Sequence, residues 1–285
     1  MKEKKFTVND FITCKRSGRR IVMLTAYDAV TGRILDQAGV DSILVGDSLA
    51  NCVLGYTTTL PVEMADMIRH TAAVVRGVKR AFVVADMPFM SYQVSDERAV
   101  EAAGRLAKEG GAQAVKLEGG SEYAVTAEKI VRAGIPVMGH IGLIPQSVHR
   151  MGGYRVQGKG FHGAKELYES ALKLEDAGVF SVVLEGIPRQ LAQAISERLL
   201  VPTIGIGAGP CCDGQILVIN DVIGLTETAC PKFVRRYAEV GSSINEAVKH
   251  YARDVREEKF PVPKESYTLS KTVWNQIKKY LKGRK

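Results

Sequence analysis

Ser42-Ile-Leu-Val-Gly-Asp47 decides the reading of this chain, because an apolar, β-branched run ends there on a carboxylate. Ala81-Phe-Val-Val-Ala-Asp86, Ala114-Val-Lys-Leu-Glu118 and Phe180-Ser-Val-Val-Leu-Glu185 repeat the pattern. Short, nearly continuous apolar runs are the mark of parallel strands buried on both faces. Further runs lie at residues 21–25, 135–139, 203–205 and 216–220. Acidic residues at the carboxyl ends of such strands converge on one mouth of the sheet. A carboxylate in that position also serves as a helix cap, but three of them, with Glu185 as a fourth, favour a shared site. Oxygen ligands from separate rigid elements suit a hard divalent cation and leave positions open for substrate.

Between the runs lie segments with apolar residues at helical spacing, marked by Val30, Ile34 and Leu35 and then by Met64, Met67, Ile68 and Val75. Pro61 and Pro188 stand where a first helical turn would begin. Ala38-Gly39, Gly110-Gly111, Ala133-Gly134 and Ala177-Gly178 supply helix stops. Strand, helix, glycine, strand, repeated about eight times, predicts an α/β fold of the (β/α)₈ TIM-barrel type. A doubly wound open sheet has the same local pattern. Against it, Ala26-Tyr27-Asp28 follows the first strand with no GxGxxG, and ligand groups spread over most strands suit a closed mouth better than one crevice. Residues 141–163, with Pro145, Gly152, Gly153, Gly158 and Gly160, break the rhythm and are expected to cover the site. Residues 1–263 are expected to form one barrel domain with a C-terminal helical extension, and 264–285 a basic tail. A helix over residues 244–255 carries an apolar stripe of Ile244, Ala247, Val248, Tyr251 and Val255 that has to be buried somewhere.

Composition excludes several classes. Hydrophobic residues at 46% and charged ones at 25% are ordinary for a globular chain of 285 residues. No apolar stretch reaches the ~18 residues of a membrane span, and Met1-Lys-Glu-Lys-Lys5 lacks the apolar core of a signal peptide. The expected setting is cytoplasmic. Cys14, Cys52, Cys211, Cys212 and Cys230 show no CxxC spacing, so neither a zinc knuckle nor a disulfide framework is supported. The net charge is +8, much of it in a tail with six basic and no acidic residues from Lys271 onward. Only Trp274 and Tyr280 interleave those charges, so a solvated, weakly helical end is expected instead of a nucleic-acid-binding one.

Lys116 and Glu118 lie two apart on one strand and share a face. A lysine inside a barrel needs a carboxylate or an anionic ligand beside it. The choice lies between a structural Lys116–Glu118 pair and a cation that holds a substrate carboxylate or steadies an enolate. Ser48 can bind a carboxylate or cap a helix. His140 ends the fifth strand at the same mouth, with a substrate or metal-shell role or a packing role. Glu185 is the candidate base, since a carboxylate in a dry pocket gains affinity for protons, and the alternative is a structural pair with an arginine. Gly205-Ile-Gly-Ala-Gly209 fits an anion-binding nest and close backbone packing equally well.

Met23-Leu-Thr-Ala-Tyr-Asp28, Leu44-Val-Gly-Asp-Ser48, Ala85-Asp-Met-Pro-Phe89 and Val115-Lys-Leu-Glu-Gly-Gly120 carry a resemblance, continued by Gly139-His-Ile-Gly-Leu143, Pro145-Gln-Ser147, Ile204-Gly-Ile-Gly-Ala-Gly209 and Asp213-Gly-Gln215. Together, over roughly residues 6–261, they resemble the 3-methyl-2-oxobutanoate (ketopantoate) hydroxymethyltransferase family. The resemblance implies a barrel of the phosphoenolpyruvate/pyruvate type. It also implies transfer of a one-carbon unit from 5,10-methylenetetrahydrofolate to 3-methyl-2-oxobutanoate, giving 2-dehydropantoate for pantothenate and coenzyme A synthesis. By motif, Asp47, Asp86 and Glu118 match the Mg²⁺ positions, directly or through water, and Asp47 and Asp86 thereby touch substrate as well. Ser48 and Lys116 match substrate-binding positions, and Glu185 the proton acceptor. The implied partners are the small 2-oxo acid, the folate and a homo-oligomer, usually a decamer with the last helix exchanged, with no nucleic acid or membrane. A metal-dependent lyase or aldolase on another 2-oxo acid is the alternative, although the Lys-Lys-Cys-Gly-His loop of such lyases is absent. A basic nucleic-acid-binding protein is a second alternative, and it would require its ligand groups on the surface.

Overall fold

A computed structural model describes residues 4–153, 155–226 and 231–283. Eight parallel strands close in chain order: β1 Ile21–Thr25, β2 Ser42–Val45, β3 Phe82–Asp86, β4 Ala114–Glu118, β5 Val137–Gly142, β6 Ser181–Glu185, β7 Thr203–Ile206 and β8 Gly214–Leu217. The ring closes where β1 pairs with β8 from Ile21↔Gly214 to Leu24↔Leu217. The barrel is therefore closed, and the open-sheet alternative falls. The chain divides into two compact units, residues 1–237 and 238–285.

Alternation along each strand sorts the interior. In β3, Phe82, Val84 and Asp86 share a face, as do Ala114, Lys116 and Glu118 in β4, Met138 and His140 in β5, and Val183 and Glu185 in β6. The lower positions join an apolar cluster of Ile21, Met23, Leu44, Phe82, Val84, Ala114, Met138, Val183, Ile204 and Ile216. The upper positions are charged, so the interior is an apolar plug beneath a polar mouth. The intervening residues Val83, Ala85, Val115, Leu117, Val182 and Leu184 pack outward with the surrounding helices.

Helix Val8–Ser17 seals the amino-terminal end, with Thr7 and Asp10 forming its capping box. Its Phe11 is fully buried and makes edge-to-face contacts with Phe6, Phe82 and Phe180 at centroid distances of 5.2, 5.7 and 5.0 Å. Each such pair adds about 0.5–1.5 kcal/mol to simple burial.

Helices Ala29–Gln37, Met64–Gly77, Asp96–Lys108, Ala124–Arg132, Phe161–Asp176 and Arg189–Arg198 fill the gaps between successive strands from β1 to β7. The eightfold repeat then fails. β7 runs to β8 through residues 207–213 without a helix, and the next helix after β8 among the described residues is the short Ile219–Val222. On the outer face of β1, Val22 is 49% exposed while Leu24 packs against the surrounding core. The eighth strand also begins earlier than the apolar run 216–220 indicated. Gly214 sits against Ile21, where a Cβ would lie 2.6 Å from the Ile21 carbonyl oxygen. A glycine thus opens the strand that closes the ring, and residues 219–220 turn into a helix. Pro188 stands at the N-cap, one residue ahead of the first turn expected to contain it, and Pro61 lies ahead of a helix capped by Glu63.

In the second unit, helix Val240–Arg256 and helix Lys271–Lys282 carry no buried residue. The weakly helical tail is in fact a regular helix, its first turn held by the Ser270 hydroxyl accepting from the Val273 amide at 3.3 Å. Cys14, Cys52, Cys211 and Cys212 are free thiols, and Cys230 lies outside the described residues. Among the described residues no helix is long and apolar enough to cross a membrane. Phe11→Ala is expected to cost about 3–5 kcal/mol of stability by chemical denaturation. A loss well under 1 kcal/mol would show that the aromatic seal does not hold the barrel floor.

Candidate active site

The carboxyl-end mouth brings together Asp47, Asp86, Lys116, Glu118 and His140, all buried, with Ser48 and Glu185 partly accessible beside them. Every candidate from the sequence therefore lines one cavity of about 920 Å³. Lys116 is its centre. Its Nζ lies 3.0 Å from Asp86 Oδ1, 3.9 Å from Glu118 Oε1 and 3.2 Å from His140 Nδ1. The simple Lys116–Glu118 pair is therefore not the arrangement found, because Asp86 on the next strand is the closer partner. Burial works against the ammonium, but Asp86, Glu118 and Asp47 outweigh it and hold Lys116 charged well above its ordinary range.

His140 Nδ1 is 3.2 Å from Lys116 and 3.5 Å from Glu118 Oε1. With the lysine ammonium facing Nδ1, the proton of the neutral ring sits on Nε2. That atom is 3.2 Å from Glu185 Oε2 but has no aligned hydrogen bond. Burial and Lys116 oppose protonation of His140, while Glu118 and Glu185 favour it and prevail, raising its proton affinity. Glu185 has no arginine partner among the described residues, so the structural-pair reading falls. Its pocket is not dry either, since 16% of the side chain is accessible.

Asp47 and Asp86 are held together by backbone, with the Asp47 amide donating to Asp86 Oδ2 at 3.0 Å. Gly46 makes the room for this, because a Cβ there would lie 2.8 Å from Ser48 Oγ and 3.4 Å from Asp86 Oδ2. Burial, then Glu118 and Asp86, push the Asp47 carboxyl well above the usual range. Burial raises Asp86 too, with Lys116 pulling the other way. Ser48 heads the short helix Leu49–Cys52 without a capping bond. Its hydroxyl lies 2.9 Å from the Tyr27 hydroxyl, so the capping reading gives way to a group held toward the cavity.

Gln146 was not singled out by the sequence, although it stands in Pro145-Gln-Ser147. Its amide nitrogen donates to Glu118 Oε2 at 2.9 Å, and its side-chain Nε2 donates to Asp47 Oδ2 and the Met87 carbonyl, both at 2.9 Å. The Tyr92 hydroxyl donates to Gln146 Oε1 at 2.8 Å and accepts from the Glu118 amide at 3.2 Å. One residue of the loop after β5 thus fixes two of the carboxylates. The rest of that loop contributes Leu143, Pro145, Arg155 and Val156 to the cavity wall. Gly205–Gly209 resolves toward packing: a Cβ at Gly207 would lie 2.7 Å from the Phe233 ring, and one at Gly209 would lie 2.6 Å from Arg189 Cβ.

Three buried carboxylates facing one lysine leave a surplus of negative charge that a divalent cation would neutralise. Asp86 Oδ1, fully buried, has no aligned hydrogen bond despite its contact with Lys116. Among the described residues no three side chains converge closely enough to enclose a metal alone. A cation that keeps waters of its own, as Mg²⁺ does, would need only one or two carboxylates plus substrate. Asp47 and Asp86 are the oxygens best placed for it, while Glu118 is engaged by Gln146, His140 and Lys116.

The sequence pattern of the ketopantoate hydroxymethyltransferase family matches residues 5–263. The 3-methyl-2-oxobutanoate hydroxymethyltransferase of Acetivibrio thermocellus is 53% identical over 96% of this chain and 97% of its own. That of Pseudothermotoga lettingae is 59% identical over 89% and 96%. Among solved structures, phosphonopyruvate hydrolase in complex with oxalate and Mg²⁺ superposes with a TM-score of 0.60 at 12% identity, covering 97% of this chain and 96% of that one. 2,3-Dimethylmalate lyase, a member of the PEP mutase/isocitrate lyase superfamily, gives 0.57 at 15% identity over 91% of both chains. At such identities these two show the barrel alone. A match over 96% of the chain also extends past Pro263, so the tail has a counterpart in at least one relative. The chain belongs to the ketopantoate hydroxymethyltransferase family.

Proposed function

We propose that this chain transfers a hydroxymethyl group from 5,10-methylenetetrahydrofolate to 3-methyl-2-oxobutanoate, giving 2-dehydropantoate. The observation that carries the reading is the buried Lys116 ammonium amid Asp86, Glu118 and His140, with Glu185 next to His140. Mg²⁺ at Asp47 and Asp86 would supply Lewis-acid stabilisation of the charge that develops on the 2-oxo group. Lys116, fixed and desolvated, lies where that charge develops, and the Ser48 hydroxyl orients the substrate carboxylate. Glu185 removes the C3 proton, with His140 Nε2 3.2 Å from its Oε2. The C3 carbanion attacks the methylene carbon as one of its two carbon–nitrogen bonds breaks. A water then displaces the second nitrogen and supplies the hydroxyl oxygen. The C3 proton and one water proton end on the two freed nitrogens of the departing tetrahydrofolate. Gln146 keeps Asp47 and Glu118 in register throughout. The setting we propose is the cytoplasm, where the free thiols stay reduced.

Glu185→Gln keeps the shape and removes the proton acceptor. The variant is expected to bind Mg²⁺ and 3-methyl-2-oxobutanoate as the wild type does. It should exchange the C3 proton with deuterated water at least about 100-fold more slowly. Exchange at the wild-type rate would move the base to His140 or to water, and loss of Mg²⁺ binding would move Glu185 into the metal site.

The assembly we propose is a homo-oligomer of ten subunits. Ile244, Val248, Tyr251 and Val255 form an exposed apolar stripe on helix Val240–Arg256, and Val22 is exposed on the outer face of β1. Exchange of that helix between neighbours would bury both. Residues after Pro263 are outside this interface, so light scattering should give the same large particle with or without them. A monomer at micromolar concentration would contradict the assembly.

A further inference from the structure

The cavity contains a carboxylate that the proposed chemistry leaves unused. Just past β8, the short helix Ile219–Val222 carries Asp221 to the same mouth, where it lines the cavity wall half-buried. Its Oδ1 accepts from the Thr226 hydroxyl at 2.6 Å. No cation pairs with it among the described residues. Leu225 and Phe233 give the same cavity apolar surface, the Phe233 ring lying against Gly207.

This corner is wrong for the 2-oxo acid, an anion that Asp221 repels and Lys116 attracts. A volume of 920 Å³ is also at the upper end for a ligand site and far more than so small a molecule fills. A neutral, flat ligand with a row of N–H donors on one edge and apolar faces fits it. The pterin ring of a reduced folate presents its 2-amino group and the adjacent ring N–H in such a row. An ionised carboxylate has about four lone-pair positions, of which Thr226 occupies one. We infer that Asp221 accepts the amino–lactam edge of the folate pterin while Phe233 and Leu225 cover its face. The inference rests on the folate reading above.

Cys52 supports the placement. Its thiol lines the same cavity, and burial above all, reinforced by Asp221, holds it protonated. A thiolate there would compete for the electrophilic methylene carbon.

Asp221→Asn keeps the acceptor for Thr226 and turns an N–H toward the ligand's own N–H edge. Tetrahydrofolate binding followed by calorimetry should weaken about 10- to 100-fold, the scale of hydrogen bonds to a charged group. The KM for 5,10-methylenetetrahydrofolate should rise in parallel, while folate-free exchange of the C3 proton stays at the wild-type rate. A tetrahydrofolate with methyl in place of the 2-amino group should bind the wild type more weakly than the parent, and the variant should no longer distinguish the two. Undiminished tetrahydrofolate affinity in Asp221→Asn overturns the assignment. Loss of the folate-free exchange overturns it too, since Asp221 would then support the whole site. If the wild type exchanges the C3 proton but binds no tetrahydrofolate, the folate reading fails and takes the assignment with it.

Discussion

A lysine ammonium buried inside a barrel costs several kcal/mol unless its surroundings repay the lost hydration. Lys116 meets that constraint through Asp86 at 3.0 Å, with Glu118 and His140 close by. Removing the lysine would leave three carboxylates facing one another without water. Removing the carboxylates would strand the lysine. Neither side of the cluster is stable alone, which is why four adjacent strands end as they do. The period of two places these groups over Phe82, Val84, Ala114 and Met138, so the apolar plug below is also what keeps water from reaching them.

The cluster remains over-negative, and that residual imbalance is what makes it a site instead of a salt bridge. Asp47, pushed toward protonation by burial and its acidic neighbours, is the group most relieved by an added cation. Gln146 contributes no charge but holds Asp47 and Glu118 through amide bonds of 2.9 Å, and the Tyr92 hydroxyl, donating at 2.8 Å, holds Gln146 in turn. Rigid neutral donors of this kind keep like charges from separating in the free protein. The same cavity is lined by Lys116 and the carboxylates and by Asp221, Leu225 and Phe233.

The carboxylates at strand ends were legible in the sequence because strand alternation is rigid: once Phe82 and Val84 face inward, Asp86 must follow. Closure of the barrel was legible for the same reason, from eight recurring runs. The eighth strand was misjudged because its decisive residue is Gly214, chosen for the space against Ile21, and a glycine adds nothing to an apolar pattern. The missing helix between β7 and β8 was hidden because Gly205–Gly209 reads as a loop of any kind. Gln146 and Tyr92 escaped because their partners are 26 to 99 positions away in the chain, and no local period encodes such contacts. Glu185 was found by position, but the dry environment expected for it was not.

The central claim is that this charge cluster stabilises a carbanion at C3 of a 2-oxo acid with the help of a divalent cation. Formation of 2-dehydropantoate from 3-methyl-2-oxobutanoate and 5,10-methylenetetrahydrofolate, followed before and after chelation, tests it most directly. The account requires product to form with Mg²⁺, to stop on chelation and to resume when Mg²⁺ is restored. Product formation at an unchanged rate in chelator, or none under any metal condition, would contradict it.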